Sequence, residues 1–364
     1  MSDETSSKAS LRPGWTTGAC ASAAAKAACR ALLGGGFPDQ VTISLPRGET
    51  PSFHLALAES GPGFARAGVI KDAGDDPDIT HGATIIATLR QGEAGSGLRF
   101  VAGEGVGTVT RPGLPIAVGE PAINPVPRQL ITDEITAMAA TFGMGADFEI
   151  EISIPGGEAL ARRTWNPRLG ILGGLSILGT TGVVVPYSCS AWIHSIQSGI
   201  DVARACGIAQ VAGCTGNSSE RALRKLRGLP EEAIIDMGDF AGGMLKYLRS
   251  HPVARVTIAG GFAKLAKLAA GHLDLHSRRS QVDMARLAAG LHGLGAPEEL
   301  VSRAAAANTA MEVLGLAEKA GVPLANLIAR EAEVVARKVL GEAPVDLDVL
   351  VFDRHGKLVG NSRT

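Results

Sequence analysis

This sequence has few aromatic residues, and its positive and negative charges nearly balance. Only 4% of the 364 residues are aromatic, and 35 basic residues nearly balance 36 acidic ones, for a formal net charge of −1. A nearly neutral chain offers no broad field for nucleic acid, so we expect no nucleic-acid partner. Apolar residues still make up 45% of the chain, which is typical of globular proteins and excludes a disordered one.

Cysteine and long apolar runs are also limited. The five cysteines at positions 20, 29, 189, 206 and 214 contain no CxxC pair, so neither a disulfide framework nor a zinc knuckle is indicated. No apolar run reaches the ~18 residues of a membrane span, and MSDETSSKAS does not resemble a signal peptide. We therefore expect a cytoplasmic protein with no membrane partner and no bound metal. The oligomeric state stays open, with a homo-oligomer as one option.

Glycine, by contrast, is abundant, with 47 of 364 residues, about 13% against a usual ~7%. Such a chain relies on tight turns and close backbone approaches. The length is roughly twice that of a typical ~150-residue domain, which predicts two domains. We assign 1–10 to a disordered tail, 11–190 to an α+β domain that includes a glycine-rich connector, and 191–364 to an α/β domain.

The first domain is predicted from one helix and a set of short strands. The alanine-rich stretch after Thr16 and Thr17 has a capping residue at its start and Gly34 as its stop. Short β-branched or alternating segments bounded by Gly, Pro or Asp predict strands at 41–46, 53–58, 64–70, 83–89, 98–103 and 148–155. Residues 166–188 form the connector, which is too apolar for a linker and too rich in glycine for a regular helix.

The second domain alternates strands with helices. Strands are predicted at 208–213, 233–238 and 254–260, with amphipathic helical segments between them. Three such units in succession predict a parallel, doubly wound, Rossmann-like sheet. Helices are expected between 261 and 340, followed by a hairpin whose turn contains Gly356.

The segment VAGCTGNSSERALRKL has the pattern of a nucleotide-type binding turn. A strand runs through Gly213 into Thr215, Gly216 and Asn217 and then into a helix, and such a turn can hold the sugar or anionic end of a ligand. Asp236 ends the next strand about 20 residues later, where a carboxylate can accept ribose hydroxyls. A plain tight turn is the alternative. The G-x-x-G spacing lacks the G-x-G-x-x-G fingerprint that binds a pyrophosphate. This absence counts against NAD, so an NAD-dependent oxidoreductase is the second alternative from the sequence pattern.

A second cluster is acidic. DAGDDPDITHGA holds four aspartates and a histidine within ten positions, and Asp78 with His81 could act as a general base because crowded carboxylates raise one another's pKa. The alternative is a structural turn in which the aspartates cap backbone amides.

Basic side chains gather around the connector. Arg128, Arg163 and Arg168 could pair with the carboxylates of a polyanionic ligand, since a guanidinium binds a carboxylate with two parallel hydrogen bonds. Further along, Lys264 could contribute to the same task. His272 and His276 are four residues apart but lack the HExxH glutamate, so zinc hydrolase chemistry is not indicated.

Six ordered motifs resemble one known family. They read GWTTGACASAAAKAA, DDPDITHGA, AGEGVGTVTRPGL, INPVPR, NPRLGILGGLSILGTTGVVVP and KLAKLAAGHLDLHS. In this order they closely resemble the cobalt-precorrin-5B C1-methyltransferase family, CbiD, over nearly the whole chain. The resemblance implies transfer of a methyl group from S-adenosylmethionine to C1 of cobalt-precorrin-5B, giving cobalt-precorrin-6A during cobalamin biosynthesis.

Under this interpretation the second domain binds S-adenosylmethionine through residues 213, 215–217 and 236. The corrin-precursor tetrapyrrole would lie between the domains, against the connector residues Gly179, Thr180, Thr181 and Gly182 and the arginines. A non-catalytic tetrapyrrole carrier is a third alternative, which predicts macrocycle binding without affinity for the methyl donor.

Overall fold

The computed structural model describes residues 11–364, so the predicted tail at 1–10 lies outside the described residues. The chain divides into two compact units, Met1–Ser188 and Cys189–Thr364. Both combine helices and β-sheets, so the fold is of the mixed α and β class.

The described part of the first unit contains eleven strands and three helices. They are β1 (Gly14–Trp15), α1 (Thr17–Leu32), β2 (Gln40–Thr42), β3 (Ser52–His54), β4 (Leu57–Gly61), β5 (Phe64–Ile70), β6 (Thr84–Gln91), β7 (Leu98–Ala102), β8 (Thr108–Val109), α2 (Pro125–Thr141), β9 (Phe148–Ser153), α3 (Gly157–Ala161), β10 (Ile171–Leu172) and β11 (Val183–Val184).

Five of these strands form the main sheet, in the order β4-β5-β6-β9-β7. All neighbours are antiparallel except β7 and β9, which are parallel. The strands predicted at 64–70, 83–89, 98–103 and 148–155 are confirmed. The single strand predicted at 53–58 is wrong, because β3 ends at His54 and pairs with β2, whereas β4 begins at Leu57 and pairs with β5. Alternation of apolar residues does not show which neighbour a strand pairs with.

Helix α1 packs between this sheet and α2. It begins as predicted, since the Thr16 hydroxyl accepts the Ala19 N–H at 3.2 Å, and twelve of its sixteen residues are buried. Small alanine side chains let neighbouring elements approach closely. Helix α2 is absent from the sequence-based prediction, although Pro125 at its first turn is a recognised start signal.

The second unit contains eight helices and five strands. They are α4 (Cys189–Ala205), β12 (Gln210–Cys214), α5 (Asn217–Arg227), β13 (Ile234–Asp236), α6 (Ala241–Ser250), β14 (Arg255–Gly261), α7 (Phe262–Ala269), α8 (Met284–Gly293), α9 (Glu298–Ala305), α10 (Ala310–Lys319), α11 (Leu324–Leu340), β15 (Asp346–Phe352) and β16 (Leu358–Asn361).

The sheet of this unit has the order β13-β12-β14-β15-β16, with the first four strands parallel and β16 antiparallel. Alternate residues of each strand face two cores. The larger core packs under α6, α7 and α11, and the smaller one under Leu223 of α5. The predicted strands and the C-terminal hairpin are confirmed. The connection after β12 leads to β13, and the connection after β14 leads in the opposite direction to β15, so the two connections lie on opposite faces of the sheet.

Three properties of the described residues bear on function, namely the hydropathy of the helices, the grouping of metal-binding side chains and the state of the cysteines. Within residues 11–364 none of the helices is long and apolar enough to cross a bilayer, and no group of three His, Cys, Asp or Glu side chains is arranged to hold a metal ion. All five cysteines are free thiols. Burial raises the pKa of Cys20 and of Cys29 to about 12, so neither is a ready nucleophile at neutral pH.

Candidate functional site

A crevice lies at the carboxyl ends of β12 and β14 in the second unit. Helix α5 leaves β12 on one face of the sheet and α7 leaves β14 on the other, which makes this the point where the connections diverge. In open α/β sheets such a point is the usual ligand site. The cavity here measures about 320 Å³, at the lower end of the range for small-molecule pockets.

Three chain segments line the crevice, namely residues 215–219, 261–264 and 352–354, together with Met311. The predicted residues Thr215, Gly216 and Asn217 therefore meet here. Lys264, which the sequence assigned to the substrate, lies in the same crevice. The structure thus groups this lysine with the predicted cofactor residues.

The two helices that open into the crevice have no capping side chain. Gly216 precedes α5 and Gly261 precedes α7, and neither can cap an amide with its side chain. Helix α1, by comparison, is capped by the Thr16 hydroxyl. The first amides of a helix need acceptors and carry partial positive charge, so the crevice suits a ligand with an anionic or hydrogen-bond-accepting group.

Lys264 is held at the rim by an ion pair with Asp239, whose carboxylate accepts from its ammonium. The lysine side chain remains 37% exposed, so its ammonium can also reach a ligand. Asp239 follows Asp236 by three residues and stands just before α6. The ion pair therefore joins the crevice to the carboxyl end of β13.

Asp236 lies beside the crevice rather than in its lining. It ends β13 opposite Cys214 of β12, its Oδ1 accepts the Gly238 N–H at 3.1 Å, and its carbonyl oxygen accepts the Trp192 indole N–H at 3.1 Å. Neighbouring strands are about 4.8 Å apart, so Asp236 stands one strand away from the turn at 215–217.

Gly213 is also outside the crevice. It is buried in β12, and a Cβ there would come within 2.4 Å of the Met244 sulfur and 2.9 Å of the Met237 sulfur. The space beside this glycine is filled by the two methionine side chains. The assignment of Gly213 to direct cofactor contact is therefore not supported by its position.

The acidic turn in the first unit fastens neighbouring segments. Asp72 pairs with the Arg12 guanidinium at 2.6 and 2.8 Å, Asp75 accepts the Arg12 N–H at 2.6 Å, and Asp76 accepts the Tyr187 N–H at 2.7 Å. The hydrogen bond from Arg12 is the main cause that lowers the pKa of Asp72 to about 2. Asp72, Asp75 and Asp76 therefore make the contacts expected of a structural turn rather than of a general base.

Asp78 is tied to a buried cation. The Lys71 side chain is 1% exposed, and its ammonium donates to Asp78 and, at 2.8 Å, to the Thr80 hydroxyl. The Thr80 hydroxyl and N–H donate to the same carboxylate at 2.6 and 2.8 Å. Burial by itself would raise the pKa of Asp78, but the Lys71 charge and these hydrogen bonds lower it overall. A carboxylate with a lowered pKa is a weaker base.

His81 is placed differently. The ring is 53% exposed, its Nδ1 accepts the Ala73 N–H at 3.1 Å, and Asp72 Oδ1 lies 3.9 Å from the same nitrogen. The neutral ring thus carries its proton on Nε2.

The three predicted arginines differ in how far their donors are used. Arg128 donates to the carbonyl oxygens of Ile123 and Pro121 and to Glu120, and its guanidinium lies 5.1 Å from the Phe100 ring centroid. These contacts fix the loop before α2, so Arg128 has a structural role.

Arg168 and Arg163 follow on the connector side. The Arg168 guanidinium lies over the Trp165 ring at 5.4 Å. The Arg163 side chain is exposed and is therefore the most accessible of the three for a carboxylate.

The connector packs closely against the start of α1. A Cβ at Gly179 would come within 2.4 Å of the Thr16 hydroxyl, and one at Gly182 within 2.4 Å of the Leu45 side chain. Thr181 Oγ1 lies 3.3 Å from both the N and the O of Val183. These three positions serve the fold of the connector.

Thr180 lines a cavity of the first unit. This cavity measures about 600 Å³ and is bounded by residues 44–46 and by α2, with Leu45, Val126 and Leu130 as apolar wall and Asp133 exposed at the rim. The connector therefore contributes Thr180 to the wall of this cavity.

Sequence reasoning missed Asp239 and Arg354. Arg354 reaches the crevice from the turn between β15 and β16, more than 130 residues after Asn217. A predicted hairpin whose first strand joins the parallel sheet would have placed its turn at the carboxyl edge, and this was the available signal.

Comparison with known proteins identifies the family. The CbiD family model matches residues 4–186, and the CbiD C-terminal domain model matches 274–363. Curated relatives that carry the name cobalt-precorrin-5B C(1)-methyltransferase match nearly the whole chain. The protein from Paramagnetospirillum magneticum is 72% identical over 97% of this chain and 98% of its own length, and that from Rhodospirillum rubrum is 65% identical over 98% and 99%.

A crystal structure of a cobalamin biosynthesis protein (CbiD) from Archaeoglobus fulgidus is 30% identical, covers 74% of this chain and 83% of its own, and gives a TM-score of 0.41. From the family models and the near-full-length identity to the curated relatives, the chain belongs to the CbiD family.

Proposed function

We propose that this chain transfers a methyl group from S-adenosylmethionine to C1 of cobalt-precorrin-5B, giving cobalt-precorrin-6A in cobalamin biosynthesis. The observation that carries the proposal is the 72% identity over 97% of the chain to a protein named for this reaction. Enzymes this similar over their full length keep the same set of side chains at most positions, so the reaction is expected to be shared.

The methyl donor is assigned to the crevice of the second unit, which serves as a Rossmann-like binding domain. Thr215, Gly216 and Asn217 lie in its lining, and Asp236 stands on the adjacent strand end. We assign the ribose hydroxyls to Asp236, because a carboxylate can accept from both at once. The absence of G-x-G-x-x-G fits a donor that has no pyrophosphate.

Methyl transfer requires the protein to align the methyl donor with the macrocycle. The ring carbon attacks the methyl carbon in line with the carbon–sulfur bond, whose electron pair stays on sulfur to leave S-adenosylhomocysteine. Holding two reactants in this geometry can contribute about 7 to 11 kcal/mol. Cobalt enters as part of the substrate.

The macrocycle is assigned to residues of the first unit. Arg163 and Arg168 are proposed to pair with its carboxylate arms, since a guanidinium matches a carboxylate in geometry and charge. The exposed Asp133 would repel such an arm, so the cavity beside Thr180 is assigned to apolar ring surface against Leu45.

The general base, which would accept a proton from the macrocycle ring, is assigned to His81 rather than to Asp78. Asp78 is held by Lys71 and Thr80 with a lowered pKa. His81 keeps a ring that is 53% exposed, with Asp72 Oδ1 3.9 Å from its Nδ1. The free thiols of the chain fit a reducing cytoplasm as the place of action.

Transfer of labelled methyl tests the proposal. Purified chain is incubated with S-adenosylmethionine carrying a 13C methyl group and with cobalt-precorrin-5B, and the product is examined by mass spectrometry and NMR. We expect one label per macrocycle, attached to C1.

A macrocycle that binds but stays unlabelled would overturn the proposal and favour a tetrapyrrole carrier. Affinity for NAD without affinity for S-adenosylmethionine would favour an oxidoreductase.

A further inference from the structure

Two cationic side chains border the crevice, and they differ in how their charges are used. Lys264 is paired with Asp239. Arg354 is exposed, and its Nε donates to His355 Nε2 at 3.0 Å. Its two terminal nitrogens donate to no protein atom among the described residues. Arg354 therefore keeps a guanidinium edge available for a ligand.

The nearby acid is already engaged by the hairpin turn. Asp353 Oδ1 accepts the N–H of His355 at 2.8 Å and that of Lys357 at 2.9 Å. This carboxylate closes the turn before β16. It also lines the crevice and keeps its negative charge, so it partly offsets the charge of Arg354. The crevice can still hold an anionic group, because the terminal nitrogens of Arg354 and the first amides of α5 and α7 are donors that face no capping side chain.

The methyl donor carries one group of that kind. Its α-carboxylate is negative, whereas its sulfonium and ammonium are positive and would be repelled by a guanidinium. The side of the crevice that holds the cations therefore matches the carboxylate.

The spacing along the sheet edge agrees with this orientation. Asp236 ends β13 and Gly261 ends β14, and these two strand ends are two strand spacings, about 10 Å, apart. Seven bonds join the carboxylate to the ribose diol, and an extended chain of three bonds spans about 3.5 Å, which gives about 8 Å. The side chains of Asp236 and Lys264 can span the remaining distance between the donor and the strand ends.

We propose that Arg354 and Lys264 bind the α-carboxylate of the methyl donor in the crevice between α5 and α7, so that the donor lies along the sheet edge with its ribose toward Asp236. The inference rests on the proposed function. It adds which end of the donor enters the crevice and which side chains select it.

Calorimetry with two donors that differ in one group tests this assignment. The full-length chain is titrated with S-adenosylmethionine and with decarboxylated S-adenosylmethionine, which lacks only the carboxylate. Loss of charge-assisted hydrogen bonds is expected to weaken binding of the decarboxylated donor by about tenfold or more. The ratio of the two dissociation constants, decarboxylated donor over S-adenosylmethionine, should shrink several-fold in Arg354→Gln and in Lys264→Gln. In each variant the carboxylate has lost one of the side chains that bind it.

Lys357→Gln is the matched control. This variant removes an exposed cation from the same turn, outside the lining of the crevice, and should keep the wild-type ratio. Equal binding of the two donors, or an unchanged ratio in Arg354→Gln, overturns the carboxylate assignment and leaves the proposed function standing. Failure of the wild-type chain to bind either donor overturns both.

Discussion

Replacing Asp78 with alanine is expected to lower the free energy of unfolding of the first unit by about 3 kcal/mol. The substitution leaves the Lys71 ammonium, which is 1% exposed, without its carboxylate. Removal of one partner of a buried ion pair costs about 3 to 5 kcal/mol, and the 26% exposure of Asp78 favours the lower end. Urea denaturation followed by circular dichroism measures the change.

Two further variants separate charge from shape. Asp78→Asn keeps the size but not the charge, so it should also destabilise. Asp39→Ala removes an exposed carboxylate in the same unit and should change stability by less than about 0.5 kcal/mol. If Asp78→Asn is as stable as the wild type, the ion pair does not carry the stability of this turn.

The same ion pair predicts a pH dependence. The pKa of Asp78 is lowered in the folded chain, so its contribution is complete above the unfolded value of about 3.9 and is lost as the pH falls through the folded pKa. The difference between the wild type and Asp78→Ala should therefore narrow on acidification below about pH 4.

Replacing Asp236 with alanine is expected to weaken S-adenosylmethionine binding by more than about tenfold. A carboxylate that accepts both ribose hydroxyls makes two charge-assisted hydrogen bonds, each worth about 1.5 to 3 kcal/mol. Isothermal titration calorimetry of the full-length chain reports the affinity. Asp236→Asn keeps one acceptor oxygen and should fall between the wild type and the alanine variant.

Asp236 also caps the Gly238 amide, so a control for lost capping is needed. Asp283→Ala removes a carboxylate that caps Arg286 at the start of α8 and should leave donor affinity unchanged. Unaltered affinity in both Asp236 variants would remove this residue from the donor site.

The parts of the fold with a strong local pattern could be predicted from the sequence. Helix α1 has a capping threonine, a run of alanine and a glycine stop, and β5 occupies the predicted residues 64–70. The turn at 215–217 was found because strand, glycine turn and helix follow one another directly in the chain.

The rest depended on contacts between distant residues. Gly213 follows the glycine pattern of a binding turn, yet the space it leaves is filled by Met244. Arg354 reaches the crevice only because β15 joins β14 in the sheet. The ionisation of Asp78 is set by Lys71 and Thr80, and the burial of Lys71 cannot be read from the acidic cluster itself.

The placement of the methyl donor can be tested by determining the structure of the chain with S-adenosylhomocysteine. We expect the product in the crevice at the carboxyl ends of β12 and β14, with its ribose hydroxyls on the Asp236 carboxylate and its own carboxylate facing Arg354 and Lys264. Density for the product elsewhere in the molecule, with this crevice empty, would contradict this placement.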